Sequence, residues 1–295
     1  MVYFESLGSW WDASLSSIWR YLASDGHRTA HESTARGWTE EEVVPSTVHF
    51  DAERRWSGRW ESYGGRRTWL APVCVVDEEL EGLLAGSRSV QLYSPAGERT
   101  RRDTYAEFAS DLLEEAELAA VGASFLAAEE AEDARAVPWF AGGAAEVDGP
   151  LGVRLSDEGN LLAAPRAVVW AYLKDGRRHD RVHRGTRHPV YHSLGSGSFQ
   201  FSCERRLDGQ WLAETVRLRA LEPLAVTAEW TAGPFAGSKM VSIYRPEGDA
   251  TRLDVHGQFV SPLLNGTDLE RAVRGSWDAE FAEDEEAIRR FASGR

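Results

Sequence analysis

Gly82-x-x-Ala85-Gly86-Ser87-Arg88-x-Val90-x-Leu92-Tyr93-x-Pro95-x-Gly97-x-x-Thr100-Arg101-x-Asp103 returns 151 residues later as Gly233-x-x-Ala236-Gly237-Ser238-Lys239-x-Val241-x-Ile243-Tyr244-x-Pro246-x-Gly248-x-x-Thr251-Arg252-x-Asp254. The same offset aligns Glu53-Arg54-Arg55-x-x-Gly58-x-Trp60 with Glu204-Arg205-Arg206-x-x-Gly209-x-Trp211. From Phe50 to Phe108, 23 of 59 positions match their partners without a gap, so the chain is one unit written twice. A period this long is a domain with its own core rather than a solenoid repeat. Residues 1–136 form one copy, 137–150 a linker with glycine and proline in its latter part, and 151–295 the second copy. A residue kept in both copies reports on the shared fold or pocket, and one that differs reports on what a single copy does.

Each copy opens with a short strand, near Val2 to Glu5 and Val153 to Ser156, then a short helix. Leu15, Ile18, Trp19 and Leu22 recur at the helical period, and Pro165 stands ahead of Val168, Val169, Trp170 and Leu173. A polar, histidine-bearing stretch follows, ending near Val48 and Phe199. Period-2 runs come next, separated by turns such as Pro95-Ala96-Gly97 and Pro246-Glu247-Gly248. A long amphipathic helix closes each unit. In copy one it spans about Tyr105 to Ala134. In copy two Leu269, Val273, Trp277, Phe281, Ile288 and Phe291 share one face. An antiparallel meander cannot hide its own concave face, so the helix must cross it, leaving room for a ligand between them. The expected fold class is α+β, as two tandem domains of a curved antiparallel sheet and a long C-terminal helix.

The Pro-x-Gly-x-x-Thr-Arg element, after a Gly-Pro-Phe-x-Gly turn and before a long closing helix, resembles the helix-grip domains of the START/Bet v 1-like (SRPBCC) superfamily. The tandem arrangement resembles the di-domain polyketide aromatase/cyclases. The resemblance implies a cavity for an apolar or aromatic small molecule and a cyclase or aromatase reaction on a polyketide-like chain. A carrier or sensor of a lipid-like ligand is the alternative, with one copy serving only as a structural partner.

A formal charge of -14 argues against a nucleic-acid partner and an anionic membrane surface. Nothing approaches 18 consecutive apolar residues, so no membrane insertion is expected. Two cysteines, Cys74 and Cys203, are not repeat-equivalent and make no disulfide framework. These features fit a reduced, cytoplasmic protein; its oligomeric state stays open, a homodimer included. Twelve tryptophans mostly fill cores, and the remainder are available to line a cavity.

Strand alternation sharpens the site reading. Val48, Phe50, Ala52, Arg54 and Trp56 share one face, as do Phe199, Phe201, Cys203, Arg205 and Leu207. If that face is concave, Arg54 and Arg205 point inward, where an unpaired guanidinium would cost about 3–5 kcal/mol. Two readings stand: an anchor for a ligand oxyanion, or an internal salt bridge, for example to the shared Glu78 and Glu229. Tyr93 and Tyr244, in opposite phase to Val90/Leu92 and Val241/Ile243, either donate a proton to an enolate or pack. Expected ligand-binding residues are Arg54, Arg205, Tyr93, Trp60 and Trp211. Expected catalytic residues are His256 as base, Asp254 orienting it, and Tyr244. His27-x3-His31, His179-x3-His183 and His188-x3-His192 have helical ligand spacing. No acidic or cysteine ligand stands at telling spacing, and arginines surround the later pairs. No metal and no cofactor are expected; the histidines read as a polar lid over the cavity mouth. Gly195-Ser196-Gly197-Ser198 precedes a strand and is not a phosphate loop.

Overall fold

The computed structural model describes residues 1–31, 34–56, 58–140, 152–175, 182–195, 197–294. The chain divides into two compact units, Met1–Asp148 and Gly149–Arg295. The first contains β1 (Val2–Trp11), α1 (Leu15–Leu22), α2 (Asp25–Ala30), β2 (Ala35–Val44), β3 (Thr47–Trp56), β4 (Arg59–Leu70), β5 (Cys74–Glu81), β6 (Arg88–Ala96), β7 (Arg99–Phe108) and α3 (Glu115–Phe140). The second contains β8 (Val153–Leu162), α4 (Arg166–Lys174), β9 (Thr186–Gly195), β10 (Ser198–Leu207), β11 (Gln210–Leu221), β12 (Ala225–Ala232), β13 (Lys239–Glu247), β14 (Ala250–Phe259) and α5 (Gly266–Ala292). Each unit forms a seven-stranded antiparallel sheet of the same order, β1-β7-β6-β5-β4-β3-β2 and β8-β14-β13-β12-β11-β10-β9. The first strand pairs with the last, and the rest meander outward from that pair. A long helix closes each unit, so the protein is a tandem of two α+β helix-grip domains.

The repeated motif is accounted for by local geometry. Gly82 and Gly233 adopt φ of 95° and 100°, and Gly86 and Gly237 φ of 92° and 91°. A side chain at Gly82 would also strike Ser62 O and Tyr63 Cβ, each at 2.9 Å. The Ser87 hydroxyl accepts from Ala109 N at 2.9 Å, and that of Ser238 from Val260 N at 3.0 Å, tying the strand start to the end of the next strand. Thr100 and Thr251 donate to Ala13 O and Ala164 O, both at 2.8 Å. Asp103 accepts from Gly8 N at 2.7 Å and Asp254 from Gly159 N at 2.6 Å, holding the irregular register between first and last strands.

Several boundaries differ from the expectation. β1 and β8 run ten residues each, well beyond the Val2 to Glu5 and Val153 to Ser156 strands read from the sequence. The polar stretch before Val48 contains an unanticipated strand, β2, and its repeat β9. Both are sheet edges: β9 is exposed along almost its whole length and β2 buries only Ala35 and part of Trp38, so neither offers an apolar alternation to read. The first closing helix begins at Glu115 rather than Tyr105, which belongs to β7. It runs to Phe140, inside the segment read as a linker; residues 141–150 lie outside the described residues.

The two interiors differ. In the second domain Leu269, Val273 and Ile288 of α5 join Leu155, Val216, Trp230, Leu253, Val255 and Phe259 in one continuous apolar core, with Trp277, Phe281 and Phe291 packed against it. In the first domain the apolar side chains fall into separate clusters. One lies around Trp19 and Tyr93, one around Phe108 and Leu118, and one around Phe50 and Tyr63. Where α5 has Val273, α3 has Gly122, which brings the helix down onto the Phe108 ring. A Cβ at that position would lie 2.5 Å from the ring. Gly275 of α5, by contrast, has nothing within 4 Å of an added Cβ. Gly122→Ala should therefore lower stability by roughly 1–3 kcal/mol through overpacking. Gly275→Ala should raise it by roughly 0.4–1 kcal/mol by restricting the unfolded chain. Chemical denaturation of the two variants checks both signs.

Candidate functional site

Arg54 sits on the inward face of β3 and is buried. Its Nη1 donates to Glu79 Oε1 at 2.9 Å, its Nη2 donates to the Tyr63 hydroxyl at 3.2 Å, and Glu129 Oε1 of α3 lies 3.5 Å away. Arg205 repeats the placement in β10, donating to Glu214 at 2.7 Å and to Glu280 of α5 at 2.5 Å. Glu129 and Glu280 are repeat partners, so the arginine-to-helix link is common to both domains. The second carboxylate is not. Glu79 stands where the second domain has Trp230, and Glu214 stands where the first has Tyr63. The expected partners Glu78 and Glu229 are not involved. Glu229 pairs with Arg217 at 3.0 Å, and Glu78 lies 3.9 Å from both Arg66 and Arg88. A one-residue step along β5 turns Glu78 to the opposite face of the sheet from Glu79.

Around Arg54 the first domain encloses a cavity of about 300 Å³. Apart from Ala35, Gly37, Trp38 and Tyr63, every residue lining it is polar or charged. Arg67 closes one side through a bidentate pair with Asp77 at 2.6 and 3.1 Å. Gln91 also faces the cavity, and the buried Tyr93 donates to its Oε1 at 2.8 Å. Trp38 stacks on Phe50 with ring centroids 4.7 Å apart, giving a flat aromatic edge beside the charged wall. A neighbouring void of about 30 Å³ reaches Glu79, whose Oε2 accepts no hydrogen bond among the described residues. Burial pushes Glu79 up to about 7 against the attraction of Arg54, and burial likewise raises Glu129 above the usual carboxylate range.

Opposite Arg54 the wall is built by α2 and α3. Asp133 accepts from the Tyr21 hydroxyl at 2.7 Å through Oδ1 and from Arg102 Nη1 at 3.1 Å through Oδ2. His31 Nε2 lies 3.1 Å from Asp133 Oδ1, and its Nδ1 lies 2.8 Å from Glu132 Oε2. Thr34 donates to the same Glu132 oxygen at 2.9 Å. His27 Nε2 stands 3.7 Å from Asp133, too long for a hydrogen bond. Burial opposes a charge on His31, yet its bonds to Asp133 and Glu132 carry it up to about 9. On His27 burial wins and lowers it to about 3. His27, His31 and Asp133 each offer one donor atom, all within 4.8 Å of one another.

This cluster escaped the sequence reading for two reasons. Asp133 is 102 residues from His31, so no local spacing announces it. The repeat also slips by one residue here. His27-x3-His31-x2-Thr34 corresponds to His179-x3-His183-x2-Thr186, which the ungapped offset of 151 conceals. The geometry makes the correspondence plain. Ala35 N and Thr34 N bond to His31 O, and Thr186 N bonds to His183 O. His183 lies 3.4 Å from Glu283 and 3.5 Å from Asp284, the repeat partners of Glu132 and Asp133. Tyr172 donates to Asp284 as Tyr21 does to Asp133. His179 lies outside the described residues, as do Arg177, Arg178, Arg181 and Ser196.

The other expected site residues go elsewhere. His256 and Asp254 lie on the face of β14 opposite Leu253 and Val255, which belong to the second domain's core. They form no dyad. His256 Nδ1 is 3.1 Å from Ser156 Oγ, while Asp254 accepts from Gly159 N and from Arg245 at 2.9 Å. Tyr244 faces inward but packs edge-on to Trp170 within the core, and burial raises it. Trp60 and Trp211 lie opposite Arg55 and Arg206 in the strand register, on the outward face, covered by Arg36 and Arg187 at 4.2 and 4.4 Å. They have no contact with the cavity. His188 and His192 sit on the exposed edge strand β9.

Fold and interior together define a tandem helix-grip protein whose first repeat encloses a charged cavity beneath its closing helix. The chain is similar in structure to the di-domain aromatase/cyclase StfQ of the steffimycin biosynthetic pathway, at 12% identity and TM-score 0.47, covering 100% of this chain and 99% of that one. It is similar to the di-domain aromatase/cyclase BexL of the BE-7585A biosynthetic pathway, at 12% identity and TM-score 0.44, covering 98% and 99%. The ZhuI aromatase/cyclase from Streptomyces sp. R1128 is similar over 47% of this chain and 94% of its own, at 16% identity and TM-score 0.42. No protein-family model and no curated protein matches the chain. No described helix is long and apolar enough to cross a membrane.

Glu79 gives the site a pH signature. Its folded-state pKa of about 7 lies above the usual 4.5, so the folded form favours the protonated acid. That contribution to stability is complete below about pH 4.5 and is lost as pH rises through about 7. Glu79→Gln should flatten this fall, which amounts to roughly 3 kcal/mol. Urea unfolding of both proteins at about pH 5 and about pH 8 measures the difference.

Proposed function

We propose that the first domain is the functional copy, binding an oxygenated aromatic or polyketide-like small molecule and cyclising it, with the second domain as its structural partner. The observation that carries this is the replacement of the charged wall. Arg67, Asp77, Glu79 and Arg102 of the first domain correspond to Leu218, Ala228, Trp230 and Leu253, all part of or packed against the second domain's apolar core. Burying four ionisable side chains is costly, and a domain that needed only a core has the apolar alternative at hand in its own repeat. A lipid tail would gain nothing from such a lining. A flat molecule carrying ketone or phenol oxygens would stack on Trp38 and take hydrogen bonds from Arg54, Arg67 and Gln91.

Glu129 is the proton-transfer group of this reading. It borders the cavity, and its raised affinity for a proton suits a base that works near neutrality. Its carboxylate removes a proton from a methylene between two carbonyls. The enolate carbon then attacks a second carbonyl carbon of the same chain, forming the ring bond. The alkoxide so formed takes the proton back from Glu129. A second deprotonation at the ring carbon, with loss of the hydroxyl as water, produces the unsaturated ring. Arg67 and Gln91 hold the enolate oxygen, and the enclosed wall folds the flexible chain. His256, Asp254 and Tyr244 take no part.

Quenching of tryptophan fluorescence by a naphthalenediol measures binding, and a synthetic poly-β-ketone thioester followed by mass spectrometry measures turnover. One naphthalenediol should bind per chain, and Arg54→Met should weaken it at least about tenfold, the usual worth of one charged hydrogen bond. Arg205→Met should leave binding unchanged. Glu129→Gln should cut cyclisation by about a hundred- to ten-thousand-fold. Equal loss from Arg54→Met and Arg205→Met would overturn the assignment to the first domain. Binding with no turnover in the wild type would leave a carrier.

A further inference from the structure

We propose that the first domain binds a divalent transition-metal ion through His27 Nε2, His31 Nε2 and Asp133 Oδ1, with its open coordination position facing the cavity. A tetrahedral ion with nitrogen and oxygen ligands at about 2.0–2.1 Å sets its donor atoms roughly 3.3 Å apart. The His31–Asp133 and His27–Asp133 separations of 3.1 and 3.7 Å bracket that edge length, and all three donor atoms lie within 4.8 Å of one another, so a small turn of His27 completes the set.

The surroundings are those that a metal requires. Glu132 accepts from His31 Nδ1, which fixes the ring and leaves Nε2 as the donor, and Thr34 fixes Glu132 in turn. Arg102 pins Asp133 Oδ2, so Oδ1 is the oxygen turned to the two imidazoles. His27 lines the cavity, and its Nε2 stands 3.7 Å from Asp133 Oδ1, too long for a hydrogen bond to hold it there. Charge agrees. Arg54 pairs with Glu79 and Glu129 and Arg67 with Asp77, which leaves two carboxylates, Glu132 and Asp133, beside the one guanidinium of Arg102.

The duplication supplies an independent observation. The surrounding loop differs almost throughout between the copies, yet both keep His-x3-His-x2-Thr, the tyrosine, and the Glu-Asp pair of the closing helix. A fold requirement for a single histidine would not keep two at ligand spacing. Two imidazoles and one carboxylate suit zinc, iron or cobalt over magnesium or calcium, which prefer all-oxygen sets. The vacant side of the ion faces the same cavity as Gln91 and Arg54, where a ketone or phenol oxygen of a ligand would meet it.

The test uses the full chain, stripped with a chelator and titrated with zinc and with cobalt. Calorimetry gives the stoichiometry, and the cobalt visible spectrum reports a site with nitrogen donors. Binding needs no organic ligand, so its failure is separate from failure of the cyclase reading. Wild type should bind with one equivalent that His27→Ala abolishes. Glu132→Gln, which leaves all three ligands in place, should weaken that equivalent by about 10–100-fold. Circular dichroism establishes that both variants fold. His183→Ala should keep the first-domain equivalent, whether or not the second repeat contributes another. No binding tighter than about millimolar, or a stoichiometry unchanged by His27→Ala, would overturn the proposal.

Discussion

A guanidinium buried between a sheet and a helix organises each half of this protein. Arg54 and Arg205 extend from the inward face of a strand toward the closing helix, and each meets a helix glutamate at the same repeat position. Hydrophobic contact alone would let the helix slide or roll over the curved sheet, because apolar packing is non-directional. A paired arginine removes that freedom, since separating it from its carboxylates would leave buried charge uncompensated. In the first domain the pair also holds the space beneath the helix open. The helix cannot settle further without displacing the charges that line the cavity.

Much of this was legible in the sequence. The duplication, the meander and the inward direction of Arg54 and Arg205 follow from an ungapped offset and a period of two, which register errors cannot disguise. The edge strands β2 and β9 were not legible, since β9 is exposed along almost its whole length and β2 buries only Ala35 and part of Trp38. The carboxylate partners were not legible either. Strand phase places a residue on a face but does not say which of several glutamates on neighbouring strands will reach it. Glu78 is shared by the copies and points away, whereas Glu79 and Glu214 are not shared and do the pairing. Conservation between repeats was thus a guide to the turns and staples, and a misleading one to the ion pairs. The histidine cluster was hidden by a slip of one residue and by a helix ligand a hundred residues away.

The two copies differ most in their interiors. Phe259, Trp230 and Leu253 with α5 give the second domain a core that a helix-grip fold can use to full depth. The first gives up that core over the middle of its sheet and fills the region with paired charges and space. Buried networks of this kind are costly in stability and constrain geometry tightly, a combination expected where groups must be held in place for a ligand.

The exchange of carboxylates between neighbouring strands carries a further consequence, one of mutational history. Glu79 faces Tyr63 in one copy, and Trp230 faces Glu214 in the other. No single substitution converts one arrangement into the other. Removing the acid first strands the arginine beside a lone helix glutamate, while adding the second acid first crowds three carboxylates around one guanidinium. Crowding is the milder of the two, because a surplus buried carboxylate can take up a proton and an arginine cannot release one. The less costly order of substitution therefore passes through a chain carrying both acids, one of them protonated.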